Sequence, residues 1–467
     1  MRKEGKIAIK IPAKASVWYL AASALSKGVG IITTPIFTRL LSGEDYGGFA
    51  LYMTLLGGAS LICSAFNSGS SIYKGLNKNE SKKDEYLKSV LSLSILVSLS
   101  ICLLLFAISP ILELNRLFYL PLSLQLLCDS VTAVFLSSER FYYRYKSVFF
   151  ITVINALIPS VAAVLILINL GVGYSARIYS LLTVSILTAL YSLFQLTRKA
   201  TKSRGSIKEA IAYSLPMLPH CVSTAINLQA DKLFLSSLMD ASALGKYSVI
   251  FSMGSALQFV VSAIGSSMSP WIIRRLKNGE KNKIAELISP MTLGYCALGL
   301  CLIAISPEAL AILAPAEYFE AFPALLPIAL SIPFYFISTL STVCIVYDGR
   351  TKFSLILSAI SSALCIILNY TLIGRLGYLG AGLAVFICQA TIGTLNLIFL
   401  SRTEARGIID LKRFICYVAL YIPLGALIFY LKSSILIRAF LLIIPVAMLL
   451  YCLKKANELV IEKTDKS

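Results

Sequence analysis

The chain has 467 residues, of which 57% are hydrophobic and 14% are charged, and its mean hydropathy is +0.81. Soluble domains carry about 25% charged residues, so a soluble protein of two or three domains is excluded. The net charge of +19 would suit a nucleic acid partner, but no soluble segment of domain size is present to offer a basic face.

Apolar stretches longer than the ~20 residues needed to cross a bilayer recur along the whole chain. Their length and continuity predict α-helices rather than the alternating strands of roughly ten residues that form membrane barrels. We therefore predict an all-α polytopic membrane protein. In chain order, its fourteen spans are 15–37, 46–73, 89–109, 117–138, 147–169, 178–197, 210–238, 247–273, 287–306, 321–347, 353–374, 376–401, 414–431 and 433–453.

The Lys and Arg residues predict how the spans are oriented. Of the 42 basic residues, 33 lie in every second connecting segment, counted from the N-terminus. By the positive-inside rule, these segments and both termini are cytoplasmic. The first helix is predicted to be uncleaved, because the apolar run behind the basic N-terminus is long and lacks a small-residue cleavage site. The segments on the opposite side are short, so we expect no extracytoplasmic domain.

The two halves of the chain form an internal repeat. With an offset of 198, LLSGEDYGGFALYMTL (40–55) lies over LMDASALGKYSVIFSM (238–253). Further on, an offset of 206 places Leu170-Gly171 on Leu376-Gly377. Each repeat holds six spans, so we expect two six-helix lobes related by a pseudo-two-fold axis along the membrane normal, with substrate bound between the halves.

Spans 13 and 14 lie outside the repeat. The predicted organisation is a cytoplasmic N-terminal segment (1–14), an N-lobe (15–197), a cytoplasmic linker (198–209), a C-lobe (210–401), a cytoplasmic loop with two further spans (402–453) and a cytoplasmic tail (454–467).

Charged residues inside the spans are few, and each costs about 2.5–3.5 kcal/mol at a helix centre on insertion scales. Lys27, Arg39 and Lys232 are candidate ligands of an anionic headgroup such as a lipid diphosphate, because ammonium and guanidinium groups pair with phosphate oxygens. In the alternative interpretation, Asp231 forms a buried pair with a lysine that holds helices together, and Arg39 extends to the interface. Asp231 and Asp129 are candidates for an ion pair or a coupling-ion site. For Asp129, as for His220, a polar contact within the bundle is the simpler interpretation.

Proline residues predict bends in two spans. Span 7 carries Pro216 and Pro219 in YSLPMLPH, where the missing backbone donors should kink or break the helix. Span 1 carries Pro35 behind Gly28 and Gly30. Bending at these positions would open a cavity to alternate sides of the membrane, although a packing role is an equal alternative.

No sequence pattern points to catalysis or to a bound cofactor. The string GxxxxGK[ST], metal-ligand spacings and a Ser/His/Asp constellation are absent, so we predict neither ATP use, nor a metal, nor an enzyme. The 11 cysteines are mostly single and lie in apolar stretches, which disfavours a disulfide framework. A coupling ion, Na⁺ or H⁺, is the one small partner that we expect.

Three segments resemble polysaccharide-repeat flippases of the multidrug/oligosaccharidyl-lipid/polysaccharide exporter superfamily. YSLPMLPHCVSTAINLQADKLFLSSLMDASALGKYSVIFSM (213–253) is similar to their seventh and eighth spans, TRLLSGEDYGGFALY (38–52) to their first outer loop, and LNYTLIGRLGYLGAGLA (368–384) to the region of spans 11 and 12. The resemblance covers nearly the whole chain. It implies translocation of undecaprenyl-diphosphate-linked oligosaccharide across the bacterial inner membrane by alternating access, for O-antigen, capsule or exopolysaccharide biosynthesis.

The same resemblance implies the partners and leaves two alternatives. We expect a lipid-linked oligosaccharide substrate, membrane lipids, and a polysaccharide polymerase and chain-length regulator as partners, without nucleic acid. A cation-coupled multidrug exporter of the same superfamily would favour acidic over basic residues in the spans. A membrane polysaccharide polymerase or ligase would need a larger outer loop or a catalytic acid/base cluster.

Overall fold

The chain is almost entirely helical. In the computed structural model, no β-strand occurs in the described residues, which confirms the predicted all-α class. Most of the predicted linker 198–209 and the end of the predicted tail 454–467 lie outside these residues. The described residues are 2–79, 82–108, 116–198, 207–348, 351–403, 405–432 and 434–461.

The chain divides into two compact units, Met1–Leu233 and Phe234–Ser467. The boundary lies within one helix. The helices that begin in the first unit are α1 (Arg2–Leu40), α2 (Gly43–Asn67), α3 (Gly69–Lys78), α4 (Lys83–Ile108), α5 (Arg116–Phe141), α6 (Tyr145–Leu170), α7 (Ser175–Arg198), α8 (Ile207–Ser214) and α9 (Leu218–Leu238). Those of the second unit are α10 (Ala241–Lys277), α11 (Lys281–Leu313), α12 (Leu325–Leu330), α13 (Ile332–Tyr347), α14 (Thr351–Leu400), α15 (Leu411–Tyr430), α16 (Ile435–Leu441) and α17 (Ile443–Ile461).

Each of the fourteen predicted spans corresponds to a helical segment. Among the described residues, eleven helices are long and apolar enough to cross a membrane, and the bent pair Ala316–Leu330 with Ile332–Ile345 makes a twelfth. Predicted spans 11 and 12 form the single long helix α14, which is interrupted at Gly377. Predicted span 7 comprises α8 and α9, and its polar and charged residues explain why it is not among the eleven.

The sequence repeat has counterparts in local structure. Ser42 caps α2 by accepting a hydrogen bond from the Asp45 amide at 3.0 Å, and Asp240, 198 residues later, caps α10 by accepting one from Ala243 at 2.6 Å. Short side-chain acceptors satisfy the free amides at a helix start. Helices α2 and α10 therefore begin at equivalent positions of the two repeats.

The second repeat register pairs two glycines with left-handed backbones. Gly171 ends α6 with φ of 61°, and Gly377 interrupts α14 with φ of 54°. A side chain would be strained at either position, which explains why the sequence has glycine at both. The helix therefore breaks at corresponding positions of the two repeats.

Each unit has its own packed interior. In the first unit, α5 packs against α4 and α7, and α1 packs mainly against α6. In the second, α13 packs against α14, and the helices beyond the repeat, α15 and α17, pack against α11. The Tyr421 hydroxyl of α15 is buried and donates to the carbonyl of Ala329 at 2.7 Å, which fixes α15 to its own unit. Helix association inside a membrane relies on such close packing and hydrogen bonds, because lipid tails are as apolar as the helices.

Candidate functional site

Helix α9 carries an ion pair within its apolar length. The Lys232 ammonium lies 3.3 Å from Asp231 Oδ1, and the two side chains are only 13% and 3% exposed. Lys232 Nζ also donates to the carbonyl of Leu228 at 2.7 Å, one turn earlier. The pair joins neighbours in the sequence, so it neutralises charge within α9 itself. It holds a cation and an anion in a segment where an isolated charge would be costly.

The predicted break in span 7 is present directly before α9 begins, well ahead of this pair in the chain. Helix α8 ends at Ser214, a 3₁₀ segment runs over Leu215–Met217, and α9 starts at Leu218. Pro216 and Pro219 lie in and directly after this segment, where neither can donate a backbone hydrogen bond. Both prolines are exposed, as is His220. The break gives the segment a point at which it can bend, but its role in gating stays a prediction.

Lys27 lies on an open face of α1. Its side chain is exposed, and at the adjacent Gly28 and Gly30 no neighbouring heavy atom lies within 4 Å of where a Cβ would stand. Because α1 packs mainly against α6, the structure does not place Lys27 and Lys232 on one packed helix pair. Their convergence stays a prediction.

At the end of α1, Arg39 is exposed and its Nη1 donates to the carbonyl of Pro35 at 2.9 Å. Helix α1 continues through Pro35 without interruption. Two threonines lie just before the proline, and their hydroxyls donate to backbone carbonyls at 2.8 Å, Thr33 to Val29 and Thr34 to Gly30. Such hydrogen bonds back to the preceding turn favour bending. A role of Pro35 in gating stays a prediction.

Asp129 belongs to a hydrogen-bonded network that connects three helices. Ser185 of α7 donates to Asp129 Oδ1 at 3.0 Å, and Gln125 Nε2 donates to the Ser185 hydroxyl at 2.8 Å. The Tyr52 hydroxyl of α2 donates to Gln125 Oε1 at 3.4 Å. The sequence predicts Asp129 as a polar residue of the bundle, but these contacts could not be read from it, because the three hydrogen bonds join residues that are 56, 60 and 73 positions apart.

Sequence reasoning missed Arg177, near the start of α7. Its guanidinium lies 3.9 Å from the centre of the Phe37 ring and 3.6 Å from that of Phe49, with Tyr46 at 5.6 Å. The Nη1 atom is buried, and no described residue accepts a hydrogen bond from it. A sequence signal for this site exists: Arg177 is one of the few basic residues outside the predicted cytoplasmic segments.

Solved structures define the class of fold. The chain is 18% identical to a lipid II flippase MurJ in an inward closed conformation, with a TM-score of 0.67, covering 95% of this chain and all of that one. It is 13% identical to a multidrug resistance MATE family transporter of the MOP superfamily in an inward-facing conformation, with a TM-score of 0.61, covering 83% of this chain and 95% of that one. The chain therefore has the fold that these two structures share, and it is a multi-pass membrane protein.

The family within this class follows from the sequence. A family model described as polysaccharide biosynthesis protein matches residues 13–275, more than half of the chain. The chain belongs to this family, and the predicted resemblance is confirmed. A curated relative, the succinoglycan biosynthesis transport protein ExoT of Rhizobium meliloti (strain 1021), is 26% identical over 333 residues. That match covers 67% of this chain and 65% of the relative's length.

Proposed function

We propose that this protein is a flippase that moves undecaprenyl-diphosphate-linked oligosaccharide repeat units across the bacterial inner membrane by alternating access. The Asp231–Lys232 pair of α9 is the observation that carries the proposal. An isolated ammonium group at the centre of a membrane helix costs about 2.5–3.5 kcal/mol, and Lys232, which is 13% exposed, is kept there with Asp231 as its partner. A substrate with an anionic diphosphate between lipid and sugar gives such a cation a ligand.

The chemistry of the diphosphate supports roles for three basic residues. Lys232 would exchange part of its contact with Asp231 for a phosphate oxygen, while Asp231 keeps the empty site neutral. Lys27, on the open face of α1, and Arg39, at the end of that helix, would contribute further charge-assisted hydrogen bonds. Pro35, Pro216 and Pro219 would serve as the bending points that change access to these cations.

Membrane carboxylates supply candidate sites for a coupling ion. Asp129, hydrogen bonded to Ser185, is a candidate site for H⁺ or Na⁺ in the first unit. Asp231 is a second candidate, because substrate bound to Lys232 would release its carboxylate for protonation. In either case the protein moves its substrate without changing its covalent structure.

The expected cellular setting follows from the substrate. The repeat unit would be assembled on the cytoplasmic leaflet, received by this transporter, and delivered to a polymerase and a chain-length regulator on the other side, for O-antigen, capsule or exopolysaccharide. Both termini would be cytoplasmic, as the distribution of basic residues predicts.

A matched pair of lysine variants tests the proposal. Lys246 is also 13% exposed and also ion-paired, at 2.7 Å to Glu320, but lies in the second unit at the start of α10. In a strain that lacks its own copy of the gene, Lys232→Gln should lower surface polysaccharide about ten-fold or more, the loss expected for one charged hydrogen bond. Lys246→Gln should leave the polysaccharide within about two-fold of the native level. Membrane levels of both variants, measured by immunoblot, should match the native protein.

The same strains separate transport from polymerisation. Lipid-linked single repeat units should accumulate in the Lys232→Gln strain and stay inaccessible to a membrane-impermeant sugar oxidant added from outside. Combining Lys27→Ala with Lys232→Ala should abolish the surface polymer. Normal polysaccharide in that double variant, at native protein level, would refute the proposal, as would equal losses for Lys232→Gln and Lys246→Gln.

A cation-coupled drug exporter is the second candidate, and the Asp129 network favours it. A carboxylate held by neutral partners on α5 and α7 is a group that can exchange a proton inside the membrane. This function predicts proton-driven efflux of a cationic dye from proteoliposomes, lost in Asp129→Asn and retained in Lys232→Gln. Absence of dye efflux from native proteoliposomes that do flip the lipid-linked substrate would exclude it.

A further inference from the structure

The second unit contains an apolar groove where α14 ends and α15 begins. The cavity has a volume of about 790 Å³, within the range of pockets that hold a ligand. Its walls are apolar side chains of α13, α14 and α15, among them Phe334, Leu397, Phe414 and Val418. The groove opens beside exposed apolar residues such as Ile415, which is 57% exposed. Such a surface faces lipid in a membrane helix, so the groove is accessible from the bilayer.

Two arginines form the polar end of this groove. Arg402 and Arg406 line the cavity from the loop that connects α14 with α15, and both are exposed. Arg413 lies just beyond the groove and pairs with Asp410 at 3.1 Å. The groove therefore combines an apolar interior with two exposed guanidinium groups at one end.

The loop is fixed in a way that keeps both arginines at the mouth. Ala405 and Ile408 are fully buried in the core of the second unit, so they anchor the loop on either side of Arg406. The Thr403 hydroxyl donates to the carbonyl of Leu400 at 2.9 Å and accepts from the amide of Ala405 at 3.3 Å. The described residues next to the two arginines are therefore held by burial and by hydrogen bonds, which lowers the cost of binding a ligand there.

We propose that this groove binds an anionic phospholipid, with one acyl chain between α14 and α15 and the phosphate on Arg402 and Arg406. The loop lies in a segment that the charge distribution assigns to the cytoplasmic surface, the leaflet in which anionic lipids attract basic residues. A lipid satisfies both parts of the site at once: its chain fills the apolar groove, and its phosphate accepts from the guanidinium groups. A soluble anion would contact only the arginines, and a neutral lipid would contact only the apolar groove.

Native mass spectrometry of the purified full-length protein in detergent tests the headgroup contact. We expect dioleoyl phosphatidylglycerol to bind at least about ten-fold more tightly than dioleoyl phosphatidylcholine. Arg402→Gln and Arg406→Gln should each weaken the anionic lipid about five-fold, and the double variant roughly 25-fold. Arg413→Gln removes the same charge next to the groove and should change binding less than two-fold.

Two tryptophan variants on one face of α15 test the apolar part. Ala419 is exposed and lines the groove, whereas Ala426, two turns later, is also exposed and is not among the described residues that line it. Ala419→Trp should reduce phosphatidylglycerol binding about ten-fold, because the indole occupies the space of the acyl chain, and Ala426→Trp should leave it unchanged. A similar elution profile for both variants would show that the protein stays folded.

Several outcomes would overturn the lipid site. Equal affinity for the two lipids, or equal losses in Arg413→Gln and in the groove variants, would reduce the arginines to general surface charge. Displacement of phosphatidylglycerol by glycerophosphoglycerol would show a headgroup site that does not need the groove. Displacement by sub-stoichiometric undecaprenyl diphosphate would assign the groove to the transported lipid instead. None of these measurements depends on flippase activity. The lipid site can therefore be refuted while the proposed function holds, and the reverse.

Discussion

Each unit of the chain holds an arginine in a buried setting, but the two settings differ. In the second unit, Arg438 of α16 is 4% exposed and forms a two-pronged pair with Glu308 of α11, with its Nη1 2.8 Å from Oε2. Its Nη1 also donates to the carbonyl of Ala304. In the first unit, Arg177 lies between the rings of Phe37 and Phe49 instead, and no carboxylate among the described residues pairs with it.

The difference separates two uses of a membrane cation. Arg438 has a carboxylate with matching geometry and joins α16 to α11, so both terminal nitrogens of its guanidinium are paired, while its buried Nε has no acceptor among the described residues. Arg177 lies against ring faces, which attract the cation, and its buried Nη1 has no acceptor among the described residues. Of these two arginines, Arg177 is therefore the cation that no described carboxylate neutralises.

Removing the carboxylate from the paired arginine should have the largest effect. Glu308→Gln leaves Arg438 buried opposite a neutral amide. We expect a loss of about 2–3 kcal/mol in stability, below the usual range for buried pairs because the Glu308 side chain is 41% exposed. Thermal unfolding in detergent measures the loss, followed with a thiol-reactive dye that reports exposure of the free cysteines, of which seven are buried.

Glu320→Gln provides the control for this variant. Glu320 is 62% exposed and pairs with Lys246 at 2.7 Å in the same unit. Its loss should lower stability by less than about 1 kcal/mol. If Glu308→Gln and Glu320→Gln unfold at the same temperature, the Arg438–Glu308 pair does not stabilise the packing of α16 more than an exposed ion pair would. The proposed difference between Arg438 and Arg177 would then be wrong.

A double-mutant cycle on Arg177 and Phe49 gives the next largest effect. Arg177→Met keeps much of the volume and removes the charge, so the lost cation–π attraction and the relieved burial cost should largely cancel, within about 1 kcal/mol. Phe49→Leu should destabilise the native background more than the Arg177→Met background, by a coupling of about 1 kcal/mol. The same dye assay measures all four proteins.

Arg438→Met separates the two arginines in a single experiment. It removes a cation that has a carboxylate partner, so it should destabilise the protein clearly more than Arg177→Met does. Zero coupling between Arg177 and Phe49 would mean that the rings only pack against the guanidinium. Equal losses of stability in Arg177→Met and Arg438→Met would mean that the two arginines contribute to the fold in the same way.

The sequence predicted local features better than partners across helices. Hydropathy located a helical segment for each of the fourteen predicted spans, of which the described residues form eleven or twelve candidate membrane spans. The repeat register paired Ser42 with Asp240 and Gly171 with Gly377, which have the same local roles in both units. Caps and left-handed glycines depend on neighbouring residues, so a sequence pattern can reveal them. The proline-rich break before α9 was predictable for the same reason.

The surroundings of the membrane charges were not predictable. The sequence identified Asp129 but not Ser185 or Gln125, and it passed over Arg177 altogether, because those contacts depend on how α2, α5 and α7 pack together. Helix periodicity shows which residues share a face of one helix, but it does not show which helix lies opposite. The pairing of Asp231 with Lys232 was within reach only because the two are neighbours in the chain.

The smallest effect is expected at an ion pair that water can reach. Lys78 Nζ lies 3.4 Å from Glu209 Oε1, with side chains 68% and 24% exposed. The Asn79 amide donates to Glu209 at 3.2 Å and the Tyr213 hydroxyl at 3.0 Å, and with Lys78 they lower the pKa of the Glu209 carboxyl. Because the carboxyl pKa is lowered on folding, Glu209 stabilises the fold at any pH above its ordinary pKa of about 4.5. This contribution is lost as the pH falls through the lower pKa of the folded protein.

Glu209→Gln should therefore lower the unfolding temperature by only about 1–2 °C at pH 7. The difference from the native protein should shrink as the pH falls below the ordinary carboxyl pKa, because the native carboxyl then becomes protonated too. Glu308→Gln should exceed this effect at pH 7, since Arg438 is buried where Lys78 is not. A larger loss of stability in Glu209→Gln than in Glu308→Gln would show that solvent exposure does not determine the strength of these ion pairs. The contrast between Arg438, paired with a carboxylate, and Arg177, held by aromatic rings, would then need another explanation.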